Sequence, residues 1–495
     1  MHYLTKFMVM NHINKPLLQY SLILLVFSFI LVSCQKELEE NPQAVNAEDF
    51  YNTAEEVETA VNAIYTPLRI TMFPNYIATL ECQSDWLYGR GSWDPLSQYQ
   101  GLNDANVTRV SGFWDVFYRS IRNANLVIQK APLGTSISVE DVNRFVAEAK
   151  FLRAFCYFQL VRNWGGVPLR NENNMLEPNL PKSSVEDVYQ FILADLLEAE
   201  SNLPTTQADG GRPTVWAAKT LLGDVYLQLG QYEQAEAKAS EVMATGNFSL
   251  VKIANKEDFQ QQLYGPDIQT TSEEIFSFKY ARLPDQGNYI LWISNHPSTK
   301  LFSFDGAYAV HGYATNPNYI NQDEADIRKQ LWDKIDFGLG PNTLVSSKYV
   351  DQKAISQTGA GNDQPIYRYA EVLLLYAEAN CRIQHAVTTE AMEALNQVHR
   401  RAYGLDPKIP SDIDLKLADY TAETFIDRII QERGYEFVYE GKRWLELKRT
   451  GKVDELISYG KGKTVAEKHL LWPIPVSEMN YNKALDPKVD QNPGY

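Results

Sequence analysis

Two stretches of the chain set tryptophan and tyrosine among small polar residues: Asp85-Trp86-Leu87-Tyr88-Gly89-Arg90-Gly91-Ser92-Trp93-Asp94, and Asn288-Tyr289-Ile290-Leu291-Trp292-Ile293-Ser294-Asn295 continuing to Tyr308, His311 and Tyr313. An aromatic face accepts the C–H groups of a sugar ring, and a neighbouring amide, carboxylate or phenol takes up its hydroxyls. Such a mixture therefore has the make-up of a carbohydrate platform. Trp86, Tyr88, Trp93, Tyr289 and Trp292 are the candidate ligand-binding residues. The competing expectation is core packing, since most tryptophans are largely buried. With 9 Trp, 29 Tyr and 21 Phe in the chain, abundance alone does not choose between the two.

A second group is the charged block Glu432, Arg433, Glu436, Glu440, Arg443, Lys448 and Arg449. Carboxylates and guanidinium groups interleaved at helical spacing form ion-pair networks far more often than acid–base centres. Arg153, Arg368 and Glu371 take the same structural reading. His296, His311, His385, His399 and His469 occur in no HExxH or CxxC context, and neither a nucleophile elbow nor a phosphate-binding loop is present. Asp85, Asp94, Asp305 and Asp363 fall where a calcium ion could sit, but separated carboxylates make a weak case for one. The expectation is a chain with no catalytic residue, no metal site and no obligatory cofactor.

These residues need a scaffold, and the apolar period says that it is helical. Phe145, Ala149, Leu152, Cys156 and Leu160 form one stripe and Phe151, Phe155 and Phe158 a second side, so this helix must be covered on two faces. Trp164-Gly165-Gly166-Val167-Pro168 should end it. Leu222-Gly223-x-x-Tyr226, then Gly230, Tyr232 and Ala235, has the spacing of a tetratricopeptide (TPR) helix pair, with Gly223 and Ala235 small where helices approach. A second pair runs from Tyr369 to Ala402, with Ala370, Leu373, Leu374, Ala377 and Cys381 on one stripe and Ala391, Ala394, Leu395, Val398 and Ala402 on the next. A lone pair cannot bury its own face, so helices around Phe113 to Ile128 and Val185 to Leu197 should supply further units. Between about 247 and 364 the period fades, predicting irregular structure with short strands such as Glu274 to Tyr280. The expected fold is mostly α: TPR-like helical pairs forming a superhelical scaffold, with long irregular loops and a few short strands.

At the amino end, Lys6 and Lys15 precede an apolar run from Leu22 to Val32, and no acidic residue occurs before Glu37, the pattern of a secretory signal. The run is too short to span a bilayer. It ends in Leu31-Val32-Ser33-Cys34, which resembles the lipobox of bacterial lipoproteins. Residues 1–33 are thus expected to be a signal peptide and Cys34 the lipidated first residue, since two or three acyl chains anchor stably without a spanning helix. Residues 34–46 read as an acidic tether. The net charge of −16 would repel a phosphate backbone, which sets nucleic acid aside. Cys82, Cys156 and Cys381 cannot all pair, and burial as small hydrophobes is expected for Cys156 and Cys381.

Four blocks together resemble the SusD/RagB family of outer-membrane nutrient-binding lipoproteins. The first is Ala149-Lys150-Phe151-Leu152-Arg153-Ala154-Phe155-Cys156-Tyr157-Phe158-Gln159-Leu160 with Trp164-Gly165-Gly166-Val167-Pro168-Leu169. The second is Pro365-Ile366-Tyr367-Arg368-Tyr369-Ala370-Glu371 through Ala379, and the third Glu432-Arg433 through Glu440-Gly441-Lys442-Arg443-Trp444 with Leu447-Lys448-Arg449-Thr450-Gly451. The fourth is Trp472-Pro473-Ile474-Pro475 through Asn480, closing in Gln491-Asn492-Pro493-Gly494-Tyr495. Tyr435 and Tyr439 are minor departures inside the third block.

The resemblance implies an N-terminal helical region at 47–246 and a C-terminal region at 247–495 that includes the ligand-side insertion. It also implies an outward-facing lipoprotein of the outer membrane that captures a glycan and delivers it to a SusC-like TonB-dependent transporter. Peptide capture by the same architecture, a TPR-type assembly scaffold without a small ligand, and a surface glycoside hydrolase with two carboxylates across a cleft are the alternatives.

Overall fold

The helical period of the sequence becomes a run of packed helices in the computed structural model, which describes residues 50–69, 72–306 and 310–495. The expected signal peptide, Cys34, its tether and Tyr308 lie outside the described residues. Helices α1 (Ala54–Tyr65), α2 (Met72–Cys82), α3 (Asp104–Lys130), α4 (Val139–Trp164), α5 (Val185–Asn202), α6 (Val215–Gln228) and α7 (Tyr232–Ala244) come first. After the insertion come α8 (Tyr369–Gln384), α9 (Thr389–Ala402), α10 (Ala422–Glu436), α11 (Arg443–Thr450) and α12 (Val453–Lys461). Side chains mark their starts: Thr53 and Glu56 form a reciprocal capping box on α1, and Ser138 and Ser184 accept the Asp141 and Asp187 amides at the heads of α4 and α5.

Helix α4 is buried on nearly all sides and stops at Trp164, as its two apolar stripes and glycine pair predict. It lies between α3 and α5, and each helix from α4 to α9 packs on the next. The two TPR-like pairs, α6–α7 and α8–α9, are therefore direct neighbours although residues 245–368 separate them in sequence. At that junction Gly223 lies close to both neighbours: an added Cβ would make ordinary contact, 3.4 Å from Leu375 Cδ1 and 3.6 Å from the Ala235 carbonyl.

The insertion leaves and returns through one ribbon. Strand β2 (Glu274–Phe278) pairs antiparallel with β6 (Gln364–Arg368), from Glu274 opposite Arg368 to Phe278 opposite Gln364. Phe276 meets Phe151 of α4 edge-on at 5.0 Å between centroids, and Phe278 meets Phe73 at 5.0 Å, so the ribbon covers the second side of α4. The strand ends at Phe278 rather than Tyr280, because the Tyr280 amide donates to the Asp363 carboxylate (3.0 Å) instead of continuing the ladder. The remaining strands, β1 (Tyr88–Gly89), β3 (Val310–Tyr313), β4 (Trp332–Lys334) and β5 (Thr343–Ser346), form one antiparallel sheet in the order β1-β3-β5-β4.

A buried ionic seam fastens the insertion to the helices. Arg368 donates to Glu273 (2.6 Å), Glu436 (2.6 Å) and Glu440 (2.9 Å), Arg328 pairs with Glu432 (2.6 Å) and Glu436 (3.0 Å), Lys348 pairs with Glu440 (2.6 Å), and Arg401 pairs with Glu273 and Glu436. Burial pushes the Glu440 carboxyl up, but Arg368 and Lys348 outweigh it and the net shift is downward. Ion pairs this dry are justified less by net stabilisation than by the large cost of leaving any one member unpaired. Arg153 does the same between α4 and α5, holding Asp195 through two bonds (2.7 and 2.8 Å) and Glu172 through a third (2.6 Å). Cys82, Cys156 and Cys381 are free and buried. The C-terminal block closes the body: Trp472 meets Trp164 edge-on at 5.0 Å, and Asn492 donates to the carbonyls of both.

Candidate functional site

Pairing of β1 with β3 sets Tyr88 opposite His311 and Gly89 opposite Val310, which brings the two aromatic stretches of the sequence together. Gly89 is required there, since a Cβ would lie 2.5 Å from Trp93 Cβ. The loop is pinned from beneath by Asp85, whose carboxylate takes two hydrogen bonds of 2.8 Å from Arg443 of α11, and by the Ser97 hydroxyl, which accepts from the Gly89 amide (2.6 Å). Tyr88 meets Tyr313 edge-on at 5.0 Å between centroids, and Tyr313 meets His311 at 5.0 Å. Lys461 lies 4.7 Å from the Tyr88 ring centroid while donating to the Cys82 carbonyl (2.8 Å). Burial, then the charges of Arg90 and Lys461, push His311 down to about 4, so its imidazole is neutral at pH 7.

Tyr289 and Trp292 stack on each other, with centroids 4.8 Å apart and planes 22° off parallel. A short helix, Ile290–Ser294, carries them; its Ile290, Leu291 and Ile293 are fully buried, so the two rings are left half-buried on its other side. Asn288 starts this helix by accepting the Ile290 amide (2.9 Å) and donating to the Asn362 carbonyl (2.9 Å). Arg109, from α3, reaches the same place. Its guanidinium carbon is 4.1 Å from the Trp93 ring centroid, and it donates to Asn106 (2.6 Å) and Ser92 (2.7 Å). Burial pushes the Tyr289 phenol up to about 12, and the Arg109 charge pulls against that rise.

Of the five aromatic candidates, Tyr88, Tyr289 and Trp292 keep exposed surface, whereas Trp86 and Trp93 do not. Trp86 is 4% exposed, stacked on Trp332 (6.1 Å, 5° between planes) with the edge of Tyr435 against it, so the expectation of a ligand-facing Trp86 is corrected to core packing. Trp93 is 6% exposed and its face is occupied by Arg109, which makes it a support for that cation rather than a platform. Sequence reasoning missed Arg109 and Lys461. The one local signal was that no acidic residue lies three or four positions from Arg109, so its helix offers it no ion-pair partner.

The charged block is structural, as its spacing predicts, with one exception. Lys448 meets carbonyls instead of carboxylates, those of Arg162 (2.6 Å) and Leu470 (3.1 Å), and burial pushes it down to about 7. Asp85 and Asp363 are engaged by Arg443 and Lys279, and among the described residues no group of three or more His, Cys, Asp or Glu side chains is placed to hold a metal ion. A cavity of about 670 Å³ opens elsewhere, beside Val161, Leu445 and Val453, and Tyr189 is the one aromatic side chain lining it.

Comparison with known proteins matches residues 297–495 to the SusD family and residues 38–227 to a family described as starch-binding and associating with the outer membrane. A SusD-like protein of Formosa agariphila is 28% identical over 96% of this chain and 98% of its own length. The solved SusD homologue from Bacteroides thetaiotaomicron superposes with a TM-score of 0.77 at 21% identity, covering 92% of this chain and all of that one. Surface glycan-binding protein A from the same organism, solved with laminarihexaose, gives 0.73 at 21% identity, covering 89% and 100%. The helical stack, the ribbon-rooted insertion and these matches at both ends of the chain agree, and the chain belongs to the SusD/RagB family.

Proposed function

We propose that this protein is a surface-exposed lipoprotein, anchored to the outer membrane through acyl chains on Cys34, that captures an oligosaccharide and hands it to a SusC-like TonB-dependent transporter. The observation that carries the reading is the stacked Tyr289–Trp292 pair, half-buried on a short helix, with Tyr88 and Tyr313 contributed by the neighbouring strands. Stacked rings fixed before a ligand arrives offer contact area at little ordering cost, which suits reversible capture and release. Support also comes from the family's description as starch-binding and from the laminarihexaose complex of a fold relative. Binding rather than hydrolysis fits the loop chemistry, since glycosidases need two carboxylates set across the bond and Asp85 is buried and clamped by Arg443.

Calorimetric titration of the full chain in detergent against oligosaccharide and peptide panels tests the capture step. Binding of a saccharide is expected. Binding of peptides alone would move the ligand class, and binding of neither would contradict capture. Labelled palmitate should enter the wild type and be absent from Cys34→Ala, and a transporter of the outer membrane should copurify with the wild type.

A further inference from the structure

Arg109 sits at the aromatic face with no opposite charge. Among the described residues no carboxylate lies within ion-pair distance of it, and its hydrogen bonds go to the neutral side chains of Ser92 and Asn106. A guanidinium has five N–H donors in a planar fork, so the remaining donors are open to a ligand. Its guanidinium carbon lies 4.1 Å from the centre of the Trp93 ring, and Asn106, fully buried, accepts one of its hydrogen bonds (2.6 Å) and so restrains it. Lys461 lies over Tyr88, but it is buried, donates to the Cys82 carbonyl, and burial pushes it down to about 7, so it is only partly charged at pH 7. The acids it feels, Asp85 and Glu81, are buried and engaged by Arg443 and by the Gly441 amide. Arg90 is close enough to push down both His296 and His311. Asp94, near Tyr313, and the exposed Asp305, next to the Gly306 that lies against Trp292, are carboxylates on the other side of the balance. In a chain with a net charge of −16, Arg109 thus stands as a cation whose hydrogen-bond partners are neutral.

Resting on the glycan-capture reading above, we infer that the ligand of this face is an anionic saccharide, bearing carboxylate or sulfate groups, and that Arg109 is the residue that selects it. A planar fork meets a carboxylate or sulfate through two parallel hydrogen bonds, while the rings beside it take the sugar faces. A neutral glycan would leave the fork without its counter-charge.

The full chain in detergent is titrated at low salt with three probes of equal length: a neutral β-glucan hexamer, a uronic-acid hexamer and a sulfated hexamer. One of the anionic probes is expected to bind at least tenfold tighter than the neutral one and to weaken as NaCl is raised, and the winning arm names the anion. Arg109→Gln should narrow the anionic-over-neutral preference by roughly ten- to a hundredfold, the range of a charge-assisted hydrogen bond pair. Arg109→Lys, which keeps the charge but not the fork, should restore part of it, and unchanged melting temperatures guard against misfolding. Equal affinity for neutral and anionic probes, or a preference that Arg109→Gln leaves intact, would overturn the charge selection while leaving glycan capture standing. Failure of every saccharide to bind would overturn both.

Discussion

In the seam that roots the insertion, Arg368 meets three carboxylates and each of those meets a second cation; at the aromatic face, Arg109 meets two neutral side chains and the ring of Trp93. The rings divide in the same way. Trp86 has Trp332 on its face and Tyr435 at its edge, whereas Tyr289 and Trp292 stack on each other, rest on the core along one side and keep part of their surface exposed. Where every donor and every ring face is already matched from within the chain, the residue fixes position. Where capacity is left over on a rigid support, the chain has something to offer a ligand.

Arg368→Met should produce the largest effect, because it leaves Glu273, Glu436 and Glu440 short of a buried partner. A loss of about 3–5 kcal/mol is expected from denaturant unfolding, and a loss below 1 kcal/mol would erase the contrast between seam and face. Trp86→Ala should cost about 3 kcal/mol of stability as a core truncation. If instead it kept full stability and abolished binding, the correction of Trp86 to core packing would be wrong.

Acid should also weaken the ion pairs that bind the C-terminal helices to one another. Burial works upward on the carboxyls of Glu371 and Glu378, but Lys442 and Arg433 at the first and Arg449 at the second outweigh it, and both come down to about 2. A depressed carboxylate contributes stability that is complete above its ordinary pKa and is lost as pH falls from about 4.5 towards 2. The melting temperature should drop across that window, and Glu378→Gln should be less stable at pH 7 and flatter below pH 4.5. The smallest effect belongs to the face: Trp292→Ala or Tyr289→Ala should weaken saccharide binding about tenfold, near 1.4 kcal/mol, with a smaller loss of stability than Trp86→Ala, since both rings are packed on the core along one side only.

What could be read in advance was what depends on neighbours in sequence. The stripes of α4, its stop at Trp164, and both TPR-like pairs follow from side chains three and four apart on one helix. The ionic character of the 432–449 block was legible for the same reason, although Lys448 proved to serve carbonyls. The two aromatic stretches were recognisable by composition, but nothing local says which way a ring points. Trp86 is turned inward by Trp332 and Tyr435, which arrive from β4 and α10, and Tyr435 had been a mere departure from the family block. Arg109 was overlooked because its charge reaches Tyr289 only once α3 and the insertion are folded together.

Hydroxyl-radical footprinting of the full chain, with and without a saturating oligosaccharide, reads the central claim at the level of single side chains. Ligand should protect Tyr289 and Trp292, with Tyr88 following, while Trp86 stays silent in both states. Protection confined to other parts of the surface, with Tyr289 and Trp292 equally oxidised in both states, would show that the saccharide lies somewhere else.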